Sequence, residues 1–433
     1  SINIYQEGFR WPPTKIHENY KPRKDIIEFL KMNGRFGYTL EGDLNAQIAA
    51  GKLGEKRFLS LIDRFGLDMI KSAREEIFKQ SEIIERQTVK KLKNGIYRAE
   101  GYLDNDGITK DPIKIKMTVS VKGEKITIDL KGSSEQKTGP VNCGFAQTVS
   151  ACRVAFKNLI NPKRPVDGGT FKTLEVKAPE GSIFSAKEPA ACQWYFSILG
   201  LLIDAFIKAL SPVMKNQSAA GHYGDSMVFI LHGVDYRNNS PFIAVEPTPG
   251  GWGAWGDGDG ADALINNVNG AFKDIPIEIY ENKYPVTIRN YGIRKDTGGP
   301  GKMRGGNGLY KEYTVNTDLN LSLWFERSKT TGWGLFGGKD AIGPKVNLKF
   351  PNGKNEKRLK SNSYPIPAGT KVTTFTGGGG GFGNPLNRNP ENVLEDVKNN
   401  YVSIPQAKKE YGVIITKNLK VDYIKTKKIR KGK

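Results

Sequence analysis

The sequence predicts an α+β fold: a helical N-terminal region followed by a β-rich, glycine-loop-rich C-terminal half. Three observations carry that reading. Before residue 94, apolar residues recur at helical spacing. From Ile113 they alternate at period two. After Ser226, short apolar runs are separated by loops that draw on an unusual glycine content, 50 of 433 residues. That share is about 12%, against about 7% in ordinary proteins, while the 23 prolines are unremarkable. With 38% hydrophobic and 10% aromatic residues the chain can bury a large core, which excludes disordered and collagen-like classes.

The elements follow in order. Asp25 is placed to cap a short helix through Met32, and Asp43 to cap a longer one carrying Leu44, Ile48 and Leu53. Gly66 closes it. A second helix from about Asp68 presents Ile70, Ala73, Ile77 and Ile84, so the pair forms an αα-hairpin. Ile113, Ile115, Met117, Val119 and Val121, a Lys122–Lys125 turn, and Ile126, Ile128 and Leu130 read as a β-hairpin. Helices are expected over 148–160 and 195–210. In the second, Asp204 and Lys208 are expected to pair on the outer face, and Pro212 ends the helix. Strands are expected at 227–231, 242–246, 286–293, 309–315, 319–326, 346–350 and 371–376. Helices at about 391–398 and 405–411 follow, the latter between Ser403 and Gly412. The expected units are residues 1–94 (helical), 95–225 (mixed), 226–424 (β-rich with C-terminal helices) and a disordered basic tail, 425–433.

Net charge is +21. The last nine residues hold six basic and no acidic side chains, so most of the excess lies elsewhere. No Arg/aromatic interleaving or zinc-finger spacing accompanies it, which places nucleic-acid binding last. Three cysteines without a CxxC fit neither a disulfide framework nor a cysteine zinc site and suit a reducing compartment. With no signal peptide and no apolar run long enough to span a bilayer, the expected location is the cytoplasm, away from membranes. The chain opens on Ser1 without Met, so an upstream segment is expected to have been removed or to lie on another chain.

No GxxxxGK[ST], GxSxG or HExxH string occurs, and His17, His222 and His232 are too scattered for a motif-grade metal site. Four glycine loops remain: Gly250–Gly260, Asp296–Gly308, Gly332–Gly343 and Gly377–Gly383. Each alone reads as a tight turn. Together they suggest a backbone-lined cavity whose N–H groups face an anion or carbonyl oxygen. Asp257, Asp259 and Asp262 fall outside EF-hand spacing and suit Asx turns.

An ordered set of strings resembles the hydantoinase B/oxoprolinase family over about Glu7 to Val413. These are "EGFRWPPTKIH", "EGDLNAQIAA", Gly132-Ser133-Ser134 with Gly139-Pro140-Val141-Asn142, "FKTLEVKAPEGSIF", "EPTPGGWGAWGDGDG", "DTGGPGKMRGGNG" and "GGGGGFGNPLNRNPENVLEDVKNNYVSIPQAKKEYGV". The resemblance implies a B-type subunit of an ATP-dependent cyclic-amide hydrolase that opens hydantoin, 5-oxoproline or a lactam. ATP and Mg2+ would sit on a hydantoinase A-type partner, which phosphorylates the substrate oxygen, and the assembly would be a hetero-oligomer. The alternatives are the same scaffold in an acetone- or acetophenone-type ketone carboxylase, and a non-catalytic assembly subunit. The family's N-terminal stretch, with an Asn-Asp-Pro-Tyr-like string and His/Asp ligands for a divalent metal, has no counterpart here and is expected either on a separate chain or to have been lost. No metal ligand or catalytic residue is therefore assigned. Where the family often has Asp, this chain has Asn384.

The expected substrate-binding residues are Gly250, Gly251, Trp252, Asp257, Asp259, Gly378, Gly379 and Gly380. In this reading the first and fourth loops meet around one cavity, with Trp252, Trp255 and Phe382 as its apolar wall. Gly379→Ala is then expected to impair turnover more than stability.

Overall fold

The computed structural model describes residues 1–270 and 272–432. A two-strand ribbon, β1 (His17–Glu18) and β2 (Lys21–Pro22), precedes α1 (Lys24–Asn33), α2 (Gly37–Phe65) and α3 (Leu67–Lys90). The long helix starts a full turn before Asp43, and neither Asp25 nor Asp43 is an N-cap; Arg23 and Phe36 occupy those positions. Gly66 ends α2 as expected, at φ 77°.

Strands β3 (Gly95–Leu103), β4 (Ile113–Lys122), β5 (Lys125–Asp129) and β6 (Leu174–Lys177) form one sheet in that order, antiparallel except for the β5–β6 pair. Ile113, Ile115, Met117, Val119 and Val121 are all buried, as their alternation requires. Helices α4 (Phe145–Leu159) and α5 (Tyr195–Leu210) pack together, and α5 lies across β3 and β4. Gly101 lets α5 approach: a Cβ there would stand 2.9 Å from Leu201 Cδ1.

The second half is built on two antiparallel sheets. Its elements are β7 (Val228–Asp235), β8 (Ser240–Pro247), α6 (Ile277–Lys283), β9 (Val286–Ile293), β10 (Leu309–Val315), β11 (Leu319–Trp324), β12 (Lys345–Lys349), β13 (Asn355–Lys357), β14 (Lys360–Ile366) and β15 (Lys371–Phe375). One sheet runs β14-β11-β7-β8 and the other β13-β12-β15-β10-β9. They share one core, in which Phe229 of β7 stacks on Tyr313 of β10 at 4.3 Å. The buried Lys311 ammonium pairs there with Glu246, which also accepts from the Tyr313 hydroxyl at 2.6 Å.

Most residues of the glycine segments between these strands belong to neither helix nor sheet. Gly378 and Gly381 donate to Ile342 and Lys339, both at 3.0 Å. Gly379 and Phe382 donate to Gly306 and Met303, at 2.9 and 3.0 Å. Gly380 donates to Gly221 at 2.7 Å and accepts from Ala254, while Gly377 accepts from Gly251. Residues three apart thus face the same neighbouring segment. A three-residue period with no internal hydrogen bonds is the geometry of a polyproline II-type helix. The 377–382 segment is the central strand of a bundle, with segments around 221, 251–254, 299–306 and 335–342 around it. Glycine is needed here for close approach and not for a left-handed φ, which none of Gly377–Gly381 adopts. A Cβ on Gly379 would lie 2.0 Å from the Trp252 oxygen, on Gly380 2.0 Å from the Trp333 oxygen, and on Gly305 1.8 Å from the Gly379 oxygen.

Helices α7 (Pro390–Lys398), α8 (Ile404–Tyr411) and α9 (Tyr423–Lys431) complete the chain. The stretch from 425 was expected to be disordered, but its described part is helical; Lys433 lies outside the described residues. Asp422 caps α9 by accepting from the Lys425 N–H, and Arg430 donates to the Tyr411 and Arg388 carbonyls. Counting apolar anchors overlooked an arginine that docks by hydrogen bonds, with its stem against Gly412.

Gly379→Ala forces a methyl into a carbonyl that belongs to rigid backbone, so it is expected to cost about 3 kcal/mol or more, the range of severe overpacking. Gly51, inside α2 with open space beyond it, should instead gain about 0.5–1 kcal/mol on becoming Ala. Urea titrations of both variants check this pair; equal stabilities would contradict the bundle.

Candidate functional site

The buried helix α5 carries one carboxylate inward. Asp204 Oδ2 accepts from the His222 N–H (3.1 Å), from His222 Nδ1 (2.9 Å) and from Arg327 Nη1 (3.1 Å). All three residues are buried. Asp204 therefore does not pair with Lys208 on an outer face. It turns to the His222 ring and the Arg327 guanidinium, donors of the kind a buried carboxylate requires, and Lys208 sits over the Trp333 ring at 4.3 Å. Burial lowers the pKa of that lysine.

Glycines make this packing possible. Gly224, at φ 80°, would put a Cβ 2.2 Å from Arg327 Nη1. Arg327 is held from its other side by the Thr330 and Thr331 carbonyls, both at 2.8 Å. Trp252 meets the His222 ring edge-on at 5.9 Å and anchors its own indole N–H on the Ile265 carbonyl.

His222 Nε2 lies 3.1 Å from Asn267 Oδ1. Asn267 and Val268 open onto a cavity of about 360 Å3 between α4 and α5. Gln147, Ser150 and Tyr195 supply its other polar lining, and Leu199 and Ile203 its apolar floor. With Nδ1–H donated to Asp204, a neutral ring leaves the Nε2 lone pair to accept from the Asn267 amide, and a protonated ring donates to the amide oxygen. A histidine held by a carboxylate, with its second nitrogen one side chain from a cavity, is equipped to take and return a proton through that amide.

A second set of buried carboxylates lies beside it along the chain. Asp225 accepts from Ser197 Oγ (2.6 Å) and the Glu326 N–H (2.9 Å); Glu326 pairs with Lys360 and accepts from the Asp104 N–H. Burial raises the Glu326 pKa to about 7. These carboxylates are saturated by protein groups and tie β3, α5 and β14 together.

Of the residues expected at the site, only Trp252 lies there. Gly250 donates its N–H to Leu264, Gly251 to Gly377, and Gly378, Gly379 and Gly380 to the carbonyls named above. The first and fourth loops do meet, but they fill each other, and their N–H groups are spent on backbone. Asp259 binds the Arg388 guanidinium through two 2.7 Å contacts and caps the Arg304 N–H, while Asp257 is exposed. Trp255 is exposed and Phe382 is a buried neighbour of Phe336. His222, Asp204, Arg327 and Asn267 went unselected. The available signal was a lone aspartate in the most apolar helix of the chain. Burial pushes the Cys143 and Cys152 thiols up to about 12, so they serve as small apolar groups.

Among the described residues, no group of three or more His, Cys, Asp or Glu side chains could hold a metal ion, and no helix is long and apolar enough to cross a membrane.

A family model, Hydantoinase B/oxoprolinase, matches residues 1–385. The chain is 31% identical to a Pseudomonas sp. (strain NS671) protein named as the B component of a D-/L-hydantoinase, over 100% of this chain and 74% of that protein. It is 28% identical to the beta subunit of the Pseudomonas jessenii caprolactamase, over 97% of this chain and 74% of that one. The crystal structure of the ATP-dependent caprolactamase from Pseudomonas jessenii superposes with a TM-score of 0.90 at 28% identity, covering 99% of this chain and 76% of that chain. An acetone carboxylase structure shares the fold, with a TM-score of 0.89 at 18% identity, over 100% and 64%. A family match across most of the chain, joined to this fold, shows that the chain belongs to the hydantoinase B/oxoprolinase family.

Proposed function

We propose that this chain is the B-type subunit of an ATP-dependent cyclic-amide hydrolase, cytoplasmic and hetero-oligomeric. It opens a hydantoin, 5-oxoproline or lactam ring with a hydantoinase A-type partner that binds ATP and Mg2+. The observation that carries this reading is the likeness of nearly this whole chain to about three quarters of a caprolactamase chain, in sequence as well as fold. A ring amide is a poor electrophile. Phosphorylating its oxygen makes the ring carbon electrophilic, and the B-type chain then shelters the activated ring while water adds to that carbon and the C–N bond breaks; the acyl phosphate so formed is hydrolysed by a second water to the ring-opened acid and phosphate. The cavity beside Asn267 supplies an apolar floor with a few polar groups, which suits a small ring of mixed polarity. His222, steadied by Asp204, takes the proton of the attacking water through the Asn267 amide and returns it to the departing ring nitrogen.

A second reading, a ketone carboxylase subunit, draws on 24% identity to the acetophenone carboxylase delta subunit of Aromatoleum aromaticum, over 98% of this chain and 68% of that one. Reconstitution separates the two. With the A-type partner, phosphate release should depend on a hydantoin, 5-oxoproline or lactam and yield the ring-opened acid. Release that depends on bicarbonate and a ketone would establish the carboxylase instead, and no release with either would leave an assembly role. Labelled ATP should not bind the pure chain in equilibrium dialysis; micromolar affinity would contradict the division of labour.

His222→Gln in the reconstituted complex should lower kcat by about 100-fold or more, the lower end of what general acid–base catalysis contributes. Steady-state kinetics on a complex of unchanged composition measures it; a kcat within a factor of about two would remove His222 from the reaction.

A further inference from the structure

The cavity beside Asn267 is the gap between two helix faces. Along α4 the face is Gln147, Ser150 and Val154, and along α5 it is Tyr195, Leu199 and Ile203. Both sets recur at three- or four-residue spacing, one stripe of each helix. Neither stripe holds a charge. The two helices carry four charged side chains, Arg153, Lys157, Asp204 and Lys208, and each has a place outside the gap. Arg153 lies over the Phe171 ring at 5.3 Å and Lys157 pairs with Glu85 at 3.2 Å. Lys208 lies over Trp333, and Asp204 is held by His222 and Arg327. Among the described residues, no charged side chain lines the cavity. In a chain of net charge +21, cations are plentiful elsewhere and missing here.

The polar groups of the lining have a definite sense. Gln147 turns its amide oxygen back to the Gly144 N–H at 3.0 Å, which leaves its NH2 as a donor. The Ser150 hydroxyl donates to the Ala146 carbonyl at 3.0 Å, which leaves its oxygen as an acceptor. One donor and one acceptor, neighbours on the same helix face, match the C=O and N–H of a neutral ring amide. Val154, Leu199 and Ile203 supply apolar surface for an alkyl or aryl substituent, or for the methylene chain of a larger ring. A carboxylate on the ring would lose water and find no cation, which disfavours it strongly.

We infer that this cavity selects an uncharged ring amide with an apolar substituent or methylene chain, and that Ser150 is the position that sets the charge selectivity. This rests on the proposed role as a cyclic-amide hydrolase subunit. It removes 5-oxoproline, an anion at neutral pH, from the rings that the subunit opens.

Phosphate release by the complex reconstituted with an A-type partner tests it. The matched rings are 5-oxoproline and its uncharged carboxamide; 5-isopropylhydantoin and caprolactam report whether any ring is opened. For 5-oxoproline, kcat/KM should lie at least about 30-fold below that of the carboxamide. Ser150 is exposed on α4, so Ser150→Arg brings a cation to the cavity without entering the core. It should narrow the ratio by about tenfold or more, through faster turnover of 5-oxoproline. Ser150→Gln, which adds length without charge, should not. Val154→Arg, on the same stripe, serves if Ser150→Arg does not assemble. Equal use of 5-oxoproline and its carboxamide would overturn the inference and leave the hydrolase reading standing. So would a ratio that the arginine does not move in a complex of unchanged composition. Phosphate release with none of the four rings would instead overturn the hydrolase reading, and the inference with it.

Discussion

Close approach of bare backbone is the constraint on which the second half of the molecule depends. Gly378–Gly381 can lie at the centre of the bundle only because none of them has a Cβ. At Gly378 to Gly381 a Cβ would fall 2.0–2.2 Å from a neighbouring carbonyl oxygen. What an ordinary core achieves with apolar side chains is done here by amide–carbonyl bonds in three directions. Each such bond contributes modestly, about 1 kcal/mol, but a buried amide left without a partner would cost more. The segment is therefore all-or-none. Because Gly380 bonds Gly221 and a Gly379 Cβ would meet Trp252, the bundle also sets the positions of His222 and Trp252, which belong to the neighbouring segments. The candidate site inherits its geometry from the bundle without using its N–H groups.

Buried charge locks the outside of that bundle to the C-terminal helices. Arg304 reaches Asp262 and Asp396, and Arg388 reaches Asp259 and Asp396. Such a network gains little over an apolar core of the same shape, yet removing one member costs about 3–5 kcal/mol. Its effect is specificity: the glycine loops and α7 assemble in one arrangement. The same logic holds at Asp204, which is paired with Arg327 and holds the His222 ring through Nδ1. Burial also pushes the Asp396 and Asp225 pKa values up, the usual response of carboxylates removed from water.

The elements that the sequence disclosed are those whose burial follows one period. The β4–β5 hairpin alternates cleanly and α5 is apolar almost all round; α8 carries both a serine cap and a left-handed Gly412. Strand β3 was hidden because Gly95 and Gly101 interrupt its pattern, and the start of α2 because no side chain caps it. The candidate site was harder to see. Asp204, His222, Asn267 and Arg327 are scattered over more than a hundred residues, and only tertiary packing makes them neighbours. The glycine loops were visible as an anomaly. Their role was not, because a free N–H and one spent on a carbonyl look alike in a sequence.

If the glycine run is the centre of a bonded bundle, its amides are among the last in the protein to meet water. Native-state hydrogen exchange followed at Gly378–Gly381 measures this directly. The account predicts protection equal to that of the buried β4 amides, with exchange only through global unfolding. Exchange within seconds, as expected of N–H groups lining an open cavity, would contradict it.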